Sequence, residues 1–127
     1  MNQPAIKMSV RKAAGANGAA SHAGAVSILD IEGEINVAAE PVLMDAYNQA
    51  CAQGARTILL NFSGLRYMNS SGIGLLVTLL IRVRRQSQRL AAFGLNDHYR
   101  QIFDLTRLNE AITIFTDEVE ALSAVSA

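Results

Sequence analysis

The chain has 127 residues and a mass of 13.6 kDa, a length that fits one domain with a radius of gyration of roughly 14 Å and a real core. A single Cys excludes an internal disulfide and a multi-Cys zinc site. Eleven basic residues balance eleven acidic ones, which argues against a nucleic-acid coat protein, and an apolar share of 50% argues against wholesale disorder.

Positions 5–12 predict a short strand, because Ile6, Met8 and Val10 alternate with polar neighbours. The run 13–24, AAGANGAASHAG, has no periodicity and is almost all Ala, Gly and Ser, so it reads as a flexible loop within a hairpin, or as a linker if the first strand does not form. Residues 1–24 are therefore set apart from a main domain over 25–127. Positions 26–31 (VSILDI) form the next strand, with Gly33 as its expected end. A helix is expected to open at 37–41 and run to Gln53, with Val42, Leu43, Ala46, Tyr47, Ala50 and Cys51 on its apolar stripe. Gly54 is its stop, and Cys51 is expected to be buried.

Positions 57–62 (TILLNF) read as a strand buried in mid-sheet, followed by a turn at Ser63 and Gly64. A second helix is expected over 72–86, a strand over 89–94, and a helix capped by Asp97 that runs to Thr106. Positions 111–115 (AITIF) give a last strand, and Thr116 is the expected cap of a C-terminal helix whose first turn holds Glu118 and Glu120. The alternation predicts an α/β fold, a mostly parallel sheet with helices packed on it and an antiparallel hairpin at one edge. The longest apolar stretch, 73–81, is about half of the roughly 20 residues a membrane span needs, so no direct membrane insertion is expected. The opening MNQPAIKMSVRK has no apolar signal region, and the expected compartment is the cytoplasm.

The informative segment is 58–80, ILLNFSGLRYMNSSGIGLLVTLL, where a buried strand is followed by two serines at the start of a helix. A helix N-terminus leaves backbone N–H groups without helical partners and carries about half a positive charge. Two readings of Ser70 and Ser71 stand on that basis. One is a serine N-cap, with Gly72 and Gly74 permitting tight packing. The other is a phosphorylatable or anion-binding surface that a second molecule approaches closely at the glycines. The helix that follows is apolar on more than one face, and its surplus suits neighbouring helices or a docked partner. Arg82, Arg84, Arg85 and Arg89 lie at its far end, as a solvated complement to the helix dipole or a patch for an acidic partner.

Three stretches resemble a specific family, the STAS domain of the anti-sigma-factor-antagonist type. LDIEGEIN at 29–36 is similar to the family's L-x-G-E-L-D, LLNFSG at 59–64 to its L-D-L-S-G, and MNSSGIG at 68–74 to its D-S-S-G-L-G. FGL at 93–95 and FDLTRL at 103–108 extend the likeness in the right order. The resemblance implies a sheet of four to five strands with about four helices mainly on one face. It also implies a regulator that binds an anti-sigma factor, itself a serine kinase, while Ser70 is unphosphorylated, with a phosphatase resetting the switch. The partner surface it implies comprises Asn36, Asn61, Asn69, Ser70, Ser71, Gly72, Ile73 and Gly74. Three positions depart from the pattern: Asn36, Asn61 and Asn69 stand where the family carries a carboxylate. Losing those charges either weakens recognition by a kinase that reads acid beside Ser70 or eases the burden of a phosphate there.

An enzyme is the first rival. The segment 68–72 lacks the first glycine of a nucleophile elbow, and the two histidines, His22 and His98, offer few candidates for a triad. Gly72 and Gly74 are only a fragment of a dinucleotide fingerprint, so no cofactor, metal or catalytic residue is expected. The second rival is a constitutive STAS interaction subunit of a signalling scaffold or an ABC transporter complex, without a phosphoswitch. The sequence leaves a homodimer open.

Overall fold

The computed structural model describes residues 6–13 and 25–125. Five strands lie in chain order across one sheet: β1 (Ile6–Ala13), β2 (Ala25–Ile35), β3 (Ala55–Met68), β4 (Arg89–Phe93) and β5 (Thr113–Phe115). β1 pairs antiparallel with β2, and every later pair is parallel. Between them run α1 (Glu40–Ala52), α2 (Ser70–Arg85), α3 (Asp97–Leu105) and α4 (Glu118–Val125). The run expected to be a flexible loop, with His22, lies outside the described residues from position 14 to 24.

Alternation along β2 and β3 divides the apolar side chains between two faces. Leu29, Ile31, Ile58, Leu60 and Phe62 meet α1, α2 and α3, and Phe62 packs edge-to-face on Phe103 with ring centroids 6.2 Å apart. Val26, Ile28, Leu59, Ala91 and Phe93 form a smaller core under Ala121 and Val125 of α4. The helices thus lie mainly on one face, as expected, with α4 alone across the sheet.

Two local stop signals are overridden. Gly33 does not end β2, which continues to Ile35 through a positive φ of 103°. Ser63 and Gly64 do not turn the chain, because β3 runs on for 14 residues to Met68. The β2–β3 register shifts between Asp30 and Glu32 and again between Gly33 and Glu34, so β3 carries extra residues as bulges. Gly64 is required at one of these: a Cβ there would lie 2.9 Å from both Ile31 O and Glu32 Cγ.

The helix caps fall one or two residues away from the expected ones, and α2 starts at Ser70, two residues before the expected Gly72. Asn69 caps α2 through Oδ1, which accepts from Gly72 N–H at 3.0 Å, so Ser70 is the first helical residue rather than the cap. Asn96, not Asp97, caps α3. At α4, Asp117 Oδ1 accepts from Glu120 N–H, and Glu120 Oε1 accepts from Thr116 N–H, so Thr116 is not the cap. The α1 stripe buries Leu43, Ala46, Tyr47 and Ala50, whereas Cys51 is only half-buried at its margin.

Candidate functional site

The site forms where β2 and β3 end together. Ile35 pairs with Met68, and the Asn69 N–H donates to Ile35 O at 3.3 Å. Each strand end then passes into a capped turn. Asn36 Oδ1 accepts from Ala38 N–H at 2.9 Å and starts a 3₁₀ turn over Val37–Ala39, while Asn69 starts α2. Asn36 and Asn69 are therefore side by side as caps, and an amide carries out that task as well as a carboxylate. The buried Tyr99 hydroxyl accepts from Met68 N–H at 2.8 Å and fixes the strand end from the α3 side. Sequence reasoning missed Tyr99; its only signal is its place three residues after the Asn96 cap.

Ser70 and Ser71 are both exposed on the first turn of α2. Their N–H groups have no acceptor within the helix, since the first four donors are orphans and Asn69 takes those of Gly72 and Ile73. No acidic residue lies in this turn, so the helix dipole there is uncompensated by side-chain charge. The two glycines differ. A Cβ on buried Gly72 would lie 2.4 Å from Ile35 O and 2.7 Å from Met68 Cγ, so the close packing of α2 on the strand ends requires Gly72. A Cβ on Gly74 would meet nothing within 4 Å, and the fold places no demand on it. Half-buried Ile73 packs against the main core.

An exposed line leads away from Ser70 along α2 at helical spacing through Gly74, Val77, Thr78 and Ile81. Val77 is 39% and Ile81 47% exposed. Val37, in the turn after Asn36, is 72% exposed, and Tyr67, paired with Glu34 one step before the strand ends, is 51% exposed. Partly exposed apolar side chains thus lie along the surface that carries the serine and a bare backbone.

Asn61 is not part of this surface. It follows Leu59 on the face covered by α4, opposite α2. Its Nδ2 donates to Asp30 Oδ1 at 2.7 Å, and its Oδ1 accepts from Ser63 N–H. Arg11 of β1 holds both Asp30 oxygens and also reaches Glu118 of α4 at 2.8 Å. The Arg11 hydrogen bonds hold the Asp30 carboxyl below its ordinary value, with partial burial opposing and the Asn61 donor adding to the effect. The structure therefore brings Asn36 and Asn69 to Ser71 through Gly74 and places Asn61 elsewhere. The Arg11–Asp30–Glu118 cluster had one trace in the sequence, an Asp inside an apolar strand.

No helix among the described residues is long and apolar enough to cross a membrane. The STAS domain family model matches residues 19–121. The anti-sigma-B factor antagonist of Staphylococcus aureus is 27% identical over 84 residues, which are 66% of this chain and 78% of that protein. The crystal structure of an anti-sigma factor antagonist from Mycobacterium paratuberculosis superposes with a TM-score of 0.77 at 20% identity and covers 100% of both chains. The Bacillus cell fate determinant SpoIIAA in its phosphorylated form gives a TM-score of 0.60 at 27% identity, over 79% of this chain and 90% of that one.

Proposed function

The chain belongs to the STAS domain family, and from that premise we propose that it is an anti-sigma factor antagonist controlled by phosphorylation of Ser70. The observation that carries the proposal is an exposed serine on a hydrogen-bonded strand-to-helix junction, near partly exposed apolar side chains and a glycine that the fold itself does not need. The names of the Staphylococcus and Mycobacterium relatives support the antagonist role. The phosphorylated state of the related SpoIIAA supports the switch.

In this account the unphosphorylated surface at Ser70, Ser71 and Gly74 binds an anti-sigma factor that is also a serine kinase. The kinase transfers a phosphoryl group from a nucleoside triphosphate to the Ser70 hydroxyl and releases the diphosphate. A phosphatase hydrolyses the phosphoserine and restores the first state. The phosphate adds about −1.5 to −2 charges. Its interaction with the α2 N-terminus contributes about 0.3–1 kcal/mol, up to about 2, which is small beside the roughly 5–15 kcal/mol that holds a domain together. The fold is therefore retained. At an interface the same charge must be desolvated, and a loss of about 4 kcal/mol weakens binding roughly a thousandfold.

The test is peptide mass spectrometry on the protein recovered from its own cells in several growth states, with a Ser70→Ala strain as control. The expected result is a phosphate on the peptide containing Ser70 whose level changes with growth state. A Ser70 unmodified in every state would overturn the switch and leave a constitutive binding module.

A further inference from the structure

The far end of α2 lies roughly 22 Å from Ser70, at 1.5 Å of rise per residue. There a groove of about 570 Å³ opens between α1 and α2. Tyr47 and Cys51 line it from α1, and Thr78, Ile81, Arg82 and Arg85 from α2. Its floor is already satisfied. The Tyr47 hydroxyl donates to Gln88 Oε1 at 2.7 Å, and Gln88 Nε2 donates to Ala55 O at 2.9 Å. Its mouth is not. No carboxylate lines the groove, and Arg82 and Arg85 are exposed. The ion pairs found among the described residues join Arg11 to Asp30 and Glu118 and Arg107 to Glu110, and none uses an arginine of α2.

The positive charge extends past the groove. Arg84 and Arg89 line a smaller depression of about 210 Å³ at the same helix end, with Leu80, Val83 and Leu90. Arg82, Arg84 and Arg85 occupy the last turn of α2, where the helix dipole offsets part of their mutual repulsion. The chain as a whole has no net charge, so this end is a local concentration rather than a general excess. A small anion would satisfy one arginine or two. A basic surface that runs round the helix end on both sides of an apolar strip fits a longer ligand.

We propose that the α1–α2 groove and the arginine end of α2 form a second docking site, for an acidic segment of a protein partner, with an apolar side chain seated on Ile81 between carboxylates held by Arg82 and Arg85. It adjoins the far end of the exposed line that starts at Ser70, shares no residue with Ser70 through Gly74, and does not depend on that reading. Both surfaces lie on one helix, so one partner can hold the site through both phosphorylation states, or two partners can bind at once.

The test uses the full chain, isotopically labelled, titrated with a short synthetic peptide of glutamate interrupted by leucine. Saturable amide shifts are expected at Asn48, which also lines the groove from α1, and at Thr78, Ile81, Arg82 and Arg85, with Ser70 through Gly74 unmoved. Arg82→Glu combined with Arg85→Glu should weaken peptide binding by about tenfold or more, a loss of about 1.4 kcal/mol. Arg100→Glu, an exposed arginine on α3, should leave it unchanged. Replacing leucine by glycine in the peptide, or Ile81 by Glu in the protein, should weaken it as well. Thermal melts of each variant confirm folding, and Arg82→Gln with Arg85→Gln repeats the test with neutral side chains. Shifts spread evenly over all arginines, equal shifts with inorganic phosphate alone, or groove shifts that grow with protein concentration in the absence of peptide would overturn the proposal. The last result would assign the groove to a second copy of this chain.

Discussion

The cluster around Asn61 and the junction around Asn69 each hold an amide where the STAS resemblance leads one to expect a carboxylate. Asn61 faces Asp30 across the β2–β3 ladder, and its Nδ2 supplies a donor that a carboxylate would lack. The amide there removes a like-charge contact and ties β2 and β3 to Arg11 and α4. Asn69 faces its own helix, and its Oδ1 serves as an acceptor that a carboxylate would supply equally well. There the amide leaves the fold unchanged and removes charge from the neighbourhood of Ser70. One substitution type is thus architectural on the α4 face and electrostatic on the α2 face.

The largest expected effect sharpens the role of the junction. Gly72→Ala places a Cβ 2.4 Å from Ile35 O, and a backbone atom on the end of β2 cannot yield cheaply. A loss of about 3 kcal/mol is expected in chemical denaturation, despite the gain of about 1 kcal/mol that alanine brings to an open helix site. A neutral or stabilised Gly72→Ala would mean that α2 is not seated on the strand ends as described.

Asn61→Asp tests the other region and should cost about 2 kcal/mol at pH 7, because two carboxylates then meet at hydrogen-bond distance. The pH dependence gives the sign. In the native chain the Asp30 carboxyl is held low, so its contribution is present above its ordinary value of 3.8 and is lost as pH falls through the folded value. In Asn61→Asp the shared site retains a proton more readily folded than unfolded, so the deficit should shrink as pH falls toward 4. Denaturation curves from pH 4 to 8 that run parallel for the two proteins would contradict the cluster's role.

Asn69→Ala removes the cap and should cost about 1 kcal/mol, whereas Asn69→Asp keeps it and should stay within about 0.5 kcal/mol of the native chain. If the two variants were equally destabilised, the amide nitrogen rather than the Oδ1 acceptor would be the essential group. Gly74→Ala is the smallest change and carries the opposite sign. With nothing within 4 Å of its Cβ, it should stabilise the chain by about 0.5–1 kcal/mol while weakening partner binding, a pairing that a purely structural glycine does not show.

The element order and the fold class were legible because apolar periodicity reports burial directly. The ends of elements were not. Gly33 and the Ser63–Gly64 pair are breakers in any local reading, but long-range pairing of β2 with β3 carries both strands past them through bulges. The caps lie one or two positions from their expected places because cap-competent side chains adjoin at Asn69–Ser70–Ser71, Asn96–Asp97 and Thr116–Asp117. The choice among them is made by the extended backbone at the cap, such as φ −95° and ψ −175° at Asn69. Ser70 was visible from the sequence because its motif is local. The separation of Asn61 from Asn69 was not, since it depends on which face each strand residue takes and on partners from β1 and α4.

The central claim is that charge at Ser70 is read at the surface and not by refolding. The most direct test is the affinity of the full chain for an anti-sigma factor of its own organism, measured with Ser70 unmodified and with Ser70 phosphorylated. Backbone amide spectra of both forms should be recorded alongside. The account predicts binding weakened roughly a thousandfold, with spectral changes confined to the first turn of α2 and the adjoining strand ends. Equal affinities, or weakening accompanied by changes throughout the sheet, would contradict it.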